Sequence, residues 1–313
     1  SPSGYEARKD LGSTDPGSLV THVEYLPPDS ATNARRLLDL VRPRTVLWVK
    51  YEFWPQHLAA LSQRRIPVYL VSGIFRTGQP FFRWYGGAWR SMLGCFTQLF
   101  VQDEASRALL TGIGLRNVTV SGDTRFDRVR AIVKADEELP LAAAFRGEGP
   151  VLVCGSTWPA DEALLLDAFK LMGHSPKLLV VPHELDAPHL RTIEQRFPKP
   201  LARWSEVEHS PVDSVRHTLG QADAGTLLVD RMGLLARLYR HGDVAYVGGG
   251  FGDGIHSLLE PAAWGLPVIF GPRHGKFAEA QGLIEAGGGF AVNDAEELAG
   301  VLKRLLNDAG ARR

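Results

Sequence analysis

The chain has 313 residues, a length that predicts two domains of roughly 100–200 residues each. Its hydrophobic content of 44% is enough for packed cores and argues against disorder. Lys+Arg and Asp+Glu both number 35, so the sequence has no basic excess, and we predict no nucleic-acid partner. Cys95 and Cys154 form neither a disulfide framework nor a metal signature. No apolar run approaches the roughly 20 residues that a membrane helix needs.

The first residues, Ser1–Glu6, indicate a loop that enters a helix, with no Met and no strand before it. We therefore expect the first domain to be N-terminally incomplete. The alternative is a complete domain with a trimmed end.

Short β-branched runs alternate with segments of helical spacing along the whole chain. The predicted strands, in order, are Val46–Val49, Val68–Val71, Leu99–Gln102, Val118–Ser121, Val151–Cys154, Leu178–Val181, Leu227–Val229, Val244–Val247, Val268–Phe270 and Phe290–Val292. Many are apolar at every position, which is typical of strands buried on both faces of a parallel sheet. Repeated strand–helix alternation predicts two doubly wound, Rossmann-like α/β domains.

The domain boundary is predicted between Arg128 and Gly149, a charged, Ala-rich stretch without a strand pattern. We assign residues 1–135 to the first domain and 136–313 to the second. Ligands in such sheets bind beyond the carboxyl ends of the strands, so we expect an active site in a cleft between two facing domains. Residues 195–225 show little periodicity and receive no assignment.

In the first domain, Lys50 and Glu52 follow the first predicted strand. An acid at that edge is expected to face the cleft, whereas Trp54 beside it is expected to be a core residue. Further along, Arg76 and Arg83 flank a run of aromatic side chains. This segment could contact lipid phosphates and a membrane interface, or it could form an amphipathic helix packed on the sheet with solvated arginines.

Three further segments of the second domain also follow strands. Ser156 is predicted to contact a phosphate or carboxylate, or else to cap the next helix. His183 is predicted to lie near a ligand, with a plain surface loop as the alternative. Met232 and Gly233 belong to 230–239, which indicates an N-capped helix where Gly233 could let a base approach the backbone. Asp230 as a simple cap is the alternative.

The segment 244–272 is the most informative of the sequence, because a buried strand leads into a glycine-rich turn and then a helix. Glycine N–H groups and a helix N-terminus together favour a phosphate. Ile255 stands where the dinucleotide fingerprint needs its third glycine, and no P-loop lysine follows. A tight turn without a ligand is the alternative. The candidate residues are Gly248, Gly249, Gly250, Gly252, His256, Ser257 and Glu260.

Glu260 favours a nucleotide over an empty turn, since its carboxylate can accept hydrogen bonds from two vicinal ribose hydroxyls. It precedes Pro261, which disfavours helical geometry at Glu260 and suits the first turn of a helix. A carboxylate that only complements the helix dipole is the alternative.

Residues 248–268 follow the pattern Gly-Gly-Gly-Phe-Gly-x-Gly-Ile-His-x-x-Leu-Glu-Pro-Ala-x-x-Gly-x-Pro-Val. This segment resembles the donor site of the transferases that add Kdo (3-deoxy-D-manno-octulosonic acid) to lipid A precursors. The segments 49–55, 66–76, 101–104 and 122–127 resemble other motifs of that family, in the same order. The resemblance covers nearly the whole chain, and the opening residues look closest to the branch found in Bacteroidetes-type bacteria.

The resemblance implies a GT-B fold, CMP-Kdo as donor and a phosphorylated lipid A precursor as acceptor. It also implies inverting transfer without a metal ion or other cofactor, and peripheral contact with the cytoplasmic face of the bacterial inner membrane. The family's catalytic Glu and membrane anchor would lie upstream of residue 1, so we expect a fragment or an inactive chain. Glu52 is then expected to position the acceptor, and Lys50, Arg76 and Arg83 to meet its phosphates.

Two other classes of function remain open. Another GT-B enzyme could use the same glycines and Glu260 to bind a UDP-sugar. A two-lobed nucleotide-binding protein without catalysis is the second alternative. A nicotinamide dehydrogenase is disfavoured because the glycine spacing does not fit.

Overall fold

The computed structural model describes residues 5, 8–11, 19–50, 52–221 and 224–312. The chain divides into two compact units, Ser1–Thr124 and Arg125–Arg313. This division falls before the predicted boundary at 135/136, because the helix that follows Thr124 groups with the second unit. Apart from Tyr5, the opening segment 1–6 lies outside the described residues. Among the described helices, none has the length and apolar character needed to span a bilayer.

The first unit is built on a four-stranded parallel sheet in the order β1-β2-β3-β4. Its strands are β1 (Val46–Val49), β2 (Val68–Gly73), β3 (Gln98–Val101) and β4 (Val118–Val120). Its helices are α1 (Ala31–Val41), α2 (Pro55–Gln63), α3 (Gly87–Leu93) and α4 (Glu104–Gly112), with a 3₁₀ turn at Pro80–Phe82.

Helix α1 begins where the Ser30 hydroxyl accepts the backbone N–H of Asn33 at 3.2 Å, a normal N-cap bond. The core of this unit joins the four helices to alternate positions of the strands, including the fully buried Leu58 and Leu70. On β1 the intervening side chain of Leu47 is 68% exposed. The burial of this strand therefore alternates with a period of two.

The second unit contains a seven-stranded parallel sheet in the order β11-β10-β9-β5-β6-β8-β7. Its strands are β5 (Val151–Thr157), β6 (Lys177–Pro182), β7 (Leu201–Arg203), β8 (Gly225–Leu228), β9 (Val244–Val247), β10 (Val268–Phe270) and β11 (Gly289–Ala291). Its helices are α5 (Thr124–Ala135), α6 (Pro140–Arg146), α7 (Pro159–Met172), α8 (Ala187–Arg196), α9 (Trp204–Val207), α10 (Val212–Val215), α11 (Leu235–Leu238), α12 (Leu259–Ala263), α13 (Ala278–Glu285) and α14 (Ala295–Asn307), with a π turn at Arg216–Gly220 and a 3₁₀ turn at Tyr239–His241.

The central strands of this sheet are buried on both faces. Every residue of β6 and β9 is buried, and two separate hydrophobic clusters cover the two faces of the sheet. One cluster includes Tyr239 and Phe270, and the other includes Leu165 and Tyr246. Uniformly apolar strands are the sequence signature of this arrangement.

Two segments of the second unit differ from the sequence expectation. The Ala-rich stretch taken as a boundary contains α6, whose residues Leu141 and Phe145 are buried in the core. The unassigned segment 195–225 contains β7, which pairs with β8 at the edge of the sheet. Strand β7 has three half-buried residues, too few to produce a periodic pattern.

Candidate functional site

The candidate site lies at the carboxyl edge of the second sheet, on the loops that follow β5, β6, β8 and β9. Strand β5 pairs with β6 on one side and with β9 on the other. The connections from β5 and β9 therefore leave the sheet side by side, at a topological switch point. Ligands of doubly wound sheets bind at such points.

The glycine-rich turn after β9 is closely packed at its start. A Cβ atom on Gly248 would lie 2.3 Å from the carbonyl oxygen of Ser156, and one on Gly250 would lie 2.6 Å from the Cα of Gly271. Gly249 has a φ of 91°, which disfavours any larger residue. Packing alone thus requires glycine at these three positions.

Gly252 is different, because a Cβ atom there would meet only the carbonyl of Gly249 at 3.6 Å. The residue is exposed. Local packing does not explain glycine at this position, whereas close approach of a ligand to the backbone would.

Asp161, in the first turn of α7, anchors the glycine turn. Its Oδ2 accepts the backbone N–H of Gly249 at 2.9 Å and that of Trp158 at 3.0 Å. Its Oδ1 accepts the hydroxyl of Tyr246 at 2.8 Å. The side chain is 1% exposed. One buried carboxylate therefore joins the loop after β5 to the loop after β9. Sequence reasoning missed Asp161, since an acid in the first helical turn normally indicates only a cap.

Three aromatic rings stack beside this anchor. The centroid of His183 lies 4.6 Å from that of Trp158 and 4.4 Å from that of His256. The indole Nε1–H of Trp158 donates to Nε2 of His256 at 3.0 Å. Burial, and after it the charge of His183, lowers the pKa of His256, against the opposing charge of Asp161. The structure thus brings together His183 and His256, which the sequence placed separately.

A cavity of about 300 Å³ opens between the loop after β5 and the glycine turn. A volume of this size lies at the lower end of the range for small-molecule sites. Its lining consists of Trp158, Pro159, Ala160, Asp161, Gly249, Gly252, Asp253, Gly254 and His256.

Arg273 supplies a positive charge beside the same turn. Its backbone N–H donates to the carbonyl of Gly250 at 3.0 Å, and its guanidinium donates to the carbonyl of Gly252. The residue is exposed. It follows β10 directly after Gly271 and Pro272, and this strand-end position is a signal that the sequence analysis did not use.

Ser257 and Glu260 are half-buried residues at the start of α12. Glu260 is itself helical, so the expectation that Pro261 would hold it outside a helix is wrong. Pro261 stands in the first turn, where its missing N–H leaves no helical bond unmade. Burial, and after it the charge of Glu260, raises the pKa of Tyr239.

Met232 and Gly233 lie on the turn after β8, at the same carboxyl edge of the sheet. Met232 is 80% exposed, and Gly233 has a φ of 83°. The helix predicted over 230–239 is wrong, because regular helix begins only at Leu235. Asp230 does not cap it; its carboxylate accepts the backbone N–H and the hydroxyl of Ser205 at 2.9 and 2.5 Å.

Ser156 has a φ of 53° and is half-buried. A left-handed backbone at a serine costs energy and is common at binding sites. Ser156 does not cap α7, since Trp158 occupies the cap position. The next residue, Thr157, donates its hydroxyl to the buried Glu162 at 3.0 Å. Glu162 in turn contacts His189 at 2.9 Å, so a buried polar network supports this strained turn.

The candidate residues of the first unit follow β1 and β2. Lys50 has a φ of 65° and donates its backbone N–H to the carbonyl of Val71 at 3.0 Å. The carboxylate of Glu52 is exposed and accepts the indole N–H of Trp54 at 3.3 Å. Trp54 is half-buried and is thus not a fully enclosed core residue.

Arg76 and Arg83 are exposed on either side of the 3₁₀ turn Pro80–Phe82. Phe81 on this turn is buried among aromatic rings, whereas Trp84 is 92% exposed. An amphipathic helix over these residues is therefore wrong. The segment is a turn that presents an indole ring and two guanidinium groups to solvent.

Comparison with known proteins shows which proteins this chain resembles. Residues 1–128 match the family described as 3-deoxy-D-manno-octulosonic-acid transferase (kdotransferase). A 3-deoxy-D-manno-octulosonic acid transferase of Bordetella pertussis is 29% identical over 92% of this chain and 67% of its own length. Its counterpart from Aquifex aeolicus is 27% identical over 90% of this chain and 71% of its own length. Over nearly its whole length, the chain is thus similar to Kdo transferases.

A bifunctional glycosyltransferase/methyltransferase of Fusobacterium nucleatum is 25% identical over 91% of this chain, which spans 44% of that relative. Among solved structures, a UDP-GlcNAc 2-epimerase from Methanocaldococcus jannaschii matches 89% of this chain and 74% of its own, with a TM-score of 0.55 and 13% identity. Another UDP-N-acetylglucosamine 2-epimerase matches 90% of this chain and 70% of its own, with a TM-score of 0.59 and 18% identity. These two likenesses concern the fold, and the predicted pair of doubly wound units of GT-B type is confirmed.

Proposed function

We propose that the protein transfers Kdo from CMP-Kdo to a lipid A precursor in lipopolysaccharide biosynthesis. The observation that carries the proposal is the glycine turn 248–254, anchored by Asp161 at the switch point of the second sheet and bordered by a cavity of about 300 Å³. The similarity of the chain to Kdo transferases along most of its length supports this choice among the ligands that such a turn could bind.

The donor nucleotide would bind on the second unit. The exposed backbone at Gly252 and the guanidinium of Arg273 suit its phosphate. Glu260 would accept hydrogen bonds from the ribose hydroxyls. The remaining donor contacts would come from loops at the same edge of the sheet, at Ser156, His183, Met232, Gly233, His256 and Ser257.

The acceptor would bind on the first unit. Lys50, Arg76 and Arg83 offer cations to its phosphates. The exposed Trp84 beside Arg83 suits the interface between headgroups and acyl chains. This position agrees with peripheral association of the protein with the cytoplasmic face of a bacterial inner membrane. Glu52 would position the acceptor hydroxyl.

The chemistry would be one inverting displacement without a metal ion. The acceptor hydroxyl gives up its proton to a general base and attacks the anomeric carbon of Kdo, while the bond to the CMP phosphate breaks and negative charge grows on that phosphate. Arg273 would stabilise this charge, together with N–H groups of the turn other than those of Gly248, Gly249, Gly252 and Gly254, which donate within the protein. Preorganised donors act most strongly where charge develops.

The test compares ligands and then turnover. Binding of CMP, UMP, UDP and NAD is measured by calorimetry, and transfer of Kdo from CMP-Kdo to a lipid A precursor is followed by mass spectrometry. We expect CMP to bind more tightly than the other three and, in a protein that carries the family's catalytic Glu, the lipid product to gain the mass of Kdo. Preferential binding of UDP, with no transfer from CMP-Kdo, would instead assign the chain to a transferase that uses a UDP-sugar.

A further inference from the structure

The contact between Trp158 and His256 determines how the histidine carries its proton. An indole Nε1–H is a donor only, so Nε2 of His256 has to accept its hydrogen bond at 3.0 Å. In a neutral imidazole one nitrogen accepts and the other carries the proton. The proton of His256 is therefore on Nδ1.

The cavity beside the glycine turn is the setting of this ring. Its lining includes both Trp158 and His256. The Cδ2–Nε2 side of the imidazole faces the glycine turn, because a Cβ atom on Gly249 would lie 3.1 Å from Cδ2 and 3.3 Å from Nε2. With Nε2 engaged by the indole, Nδ1–H is the group through which the neutral ring can donate.

We propose that Trp158 is a positioning residue that holds His256 as the neutral Nδ1–H tautomer, so that the anionic group of a bound nucleotide meets an uncharged ring at this position and not a cation. The tautomer rests on the geometry alone, whereas the nature of the ligand rests on the proposed function. The positive charge at the turn then comes from Arg273 instead.

The surroundings of the ring oppose its protonation. An imidazolium would direct Nε2–H against the indole N–H, which removes one hydrogen bond and adds a repulsion. On its other face, His183 stacks at 4.4 Å, and a charge on either ring disfavours a charge on the other. Asp161 on α7 favours protonation but is opposed by burial, the largest effect, and by His183, which together lower the pKa of His256. Asp253 on the glycine turn is the other acid in the lining of the cavity.

This arrangement has a use in recognition. A ring that stays neutral keeps the charge beside the phosphate constant across the neutral pH range, where an ordinary histidine titrates. The affinity of the turn for its ligand would then be insensitive to the small pH changes that a histidine cation would amplify.

The first experiment is a direct measurement on the wild-type protein. Nitrogen-15 labelled histidine gives NMR shifts that distinguish a protonated ring nitrogen from an unprotonated one, and loss of a signal in His256→Asn assigns the ring. We expect Nδ1 protonated and Nε2 unprotonated at pH 7. Protonation at Nε2 would overturn the proposal, and the measurement on the wild-type protein needs no ligand.

The second experiment removes the indole N–H and keeps an aromatic ring. In Trp158→Phe we expect His256 to titrate at higher pH than in the wild type and to lose its fixed tautomer. The control is Trp264→Phe, which removes an indole N–H that donates to the carbonyl of Ala236 at 2.8 Å in the same unit. That change should leave His256 as it is in the wild type.

Binding of CMP then connects the tautomer to the ligand. Between pH 8 and pH 6, affinity for CMP should rise about five-fold more in Trp158→Phe than in the wild type, because a charged donor binds phosphate more strongly. The comparison between the two proteins cancels the titration of CMP itself. Equal pH profiles would refute the role in recognition. Absence of any CMP binding, with the tautomer as expected, would count against the proposed function and not against the role of Trp158.

Discussion

The backbone N–H of Gly249 donates to the carboxylate of Asp161 across 2.9 Å, although 88 residues separate the two in the chain. The same carboxylate oxygen accepts the N–H of Trp158. Both donors lie at the switch point of the sheet, so the shape of the candidate site depends on this one buried acid. The first prediction concerns that acid.

Asp161→Asn should damage both stability and binding. The amide NH2 group of asparagine would replace one acceptor oxygen and face the N–H or O–H groups that Asp161 accepts. Each such donor left unsatisfied costs about 1–3 kcal/mol. We expect a lower free energy of unfolding in denaturant titrations and weaker CMP binding in calorimetry. Asp253→Asn is the control, since that carboxylate is exposed on the same turn. Equal stability of the two variants would refute the role of Asp161 as an anchor.

Glu260→Ala should weaken CMP binding and leave the fold intact. A carboxylate that accepts bonds from ribose hydroxyls is worth roughly 1.5–3 kcal/mol, or about ten- to a hundred-fold in affinity. Calorimetry with CMP measures the loss, and thermal unfolding checks the fold. Glu296→Ala provides a matched control, because Glu296 is an exposed acid in the first turn of α14. Unchanged CMP affinity in a folded Glu260→Ala protein would remove Glu260 from the site.

Charge reversal at Arg76 should separate the acceptor from the donor. In Arg76→Glu we expect the apparent KM for a phosphorylated lipid A precursor to rise, because an exposed cation beside β2 becomes an anion that repels phosphate. Binding of CMP should not change. Arg116→Glu makes the same change at an exposed position before β4 and should affect neither quantity. If CMP binding fell together with acceptor use, Arg76 would be a structural or donor residue.

Stability should fall as the pH drops below neutral because of His241. Burial, and after it the charge of Arg240, lowers the pKa of this side chain from 6.5 to about 4. The folded state therefore binds its proton less readily than the unfolded chain does. Above about pH 6.5, His241 is neutral in both states and does not reduce the free energy of unfolding. As the pH falls toward 4, the unfolded chain binds the proton first, so the free energy of unfolding decreases, by about 2 kcal/mol at pH 5.

Denaturant titrations at pH 7 and pH 5 measure this effect. His241→Gln should reduce the difference between the two pH values, since glutamine does not titrate and retains an oxygen that can accept the N–H of Leu139, which Nε2 accepts at 3.4 Å. His217→Gln, at an exposed histidine, should keep the full difference. The same pH dependence in both variants would contradict the assignment.

Much of the fold follows from local patterns. Uniformly apolar runs such as Val244–Val247 can be stable only between two covering layers, so their two-sided burial is predictable. Strand β7 could not be predicted in this way, because its three residues lie at an edge where neither face is enclosed. Helix α6 was missed for a different reason: its small core residues, such as Ala142 and Ala144, resemble those of a linker when no partner is known.

The site was predictable where chemistry lies close together along the chain. The glycines, His256 and Glu260 lie within one short segment, and their grouping could be recognised without coordinates. Trp158, which follows β5, and Asp161, in α7, contact that segment from 98 and 88 residues away in sequence. No spacing rule applies over such a distance. Arg273 comes from yet another loop, after β10. The sequence therefore indicated the groups that would meet a ligand better than the groups that hold them in position.

Helix α6 also limits how far the second unit can be truncated and still fold when it is transferred to another protein. The ammonium group of Lys177 donates to the carbonyls of Phe145 and Arg146 at 3.2 and 3.1 Å, and to that of Gly220. A version trimmed to begin at β5 would strip two of these carbonyl partners from a lysine that is 2% exposed. It would also remove the core side chains of Leu141 and Phe145. Since a buried charge that loses its partners is costly, a domain-exchange experiment should cut before Leu139 and carry α6 along with the sheet.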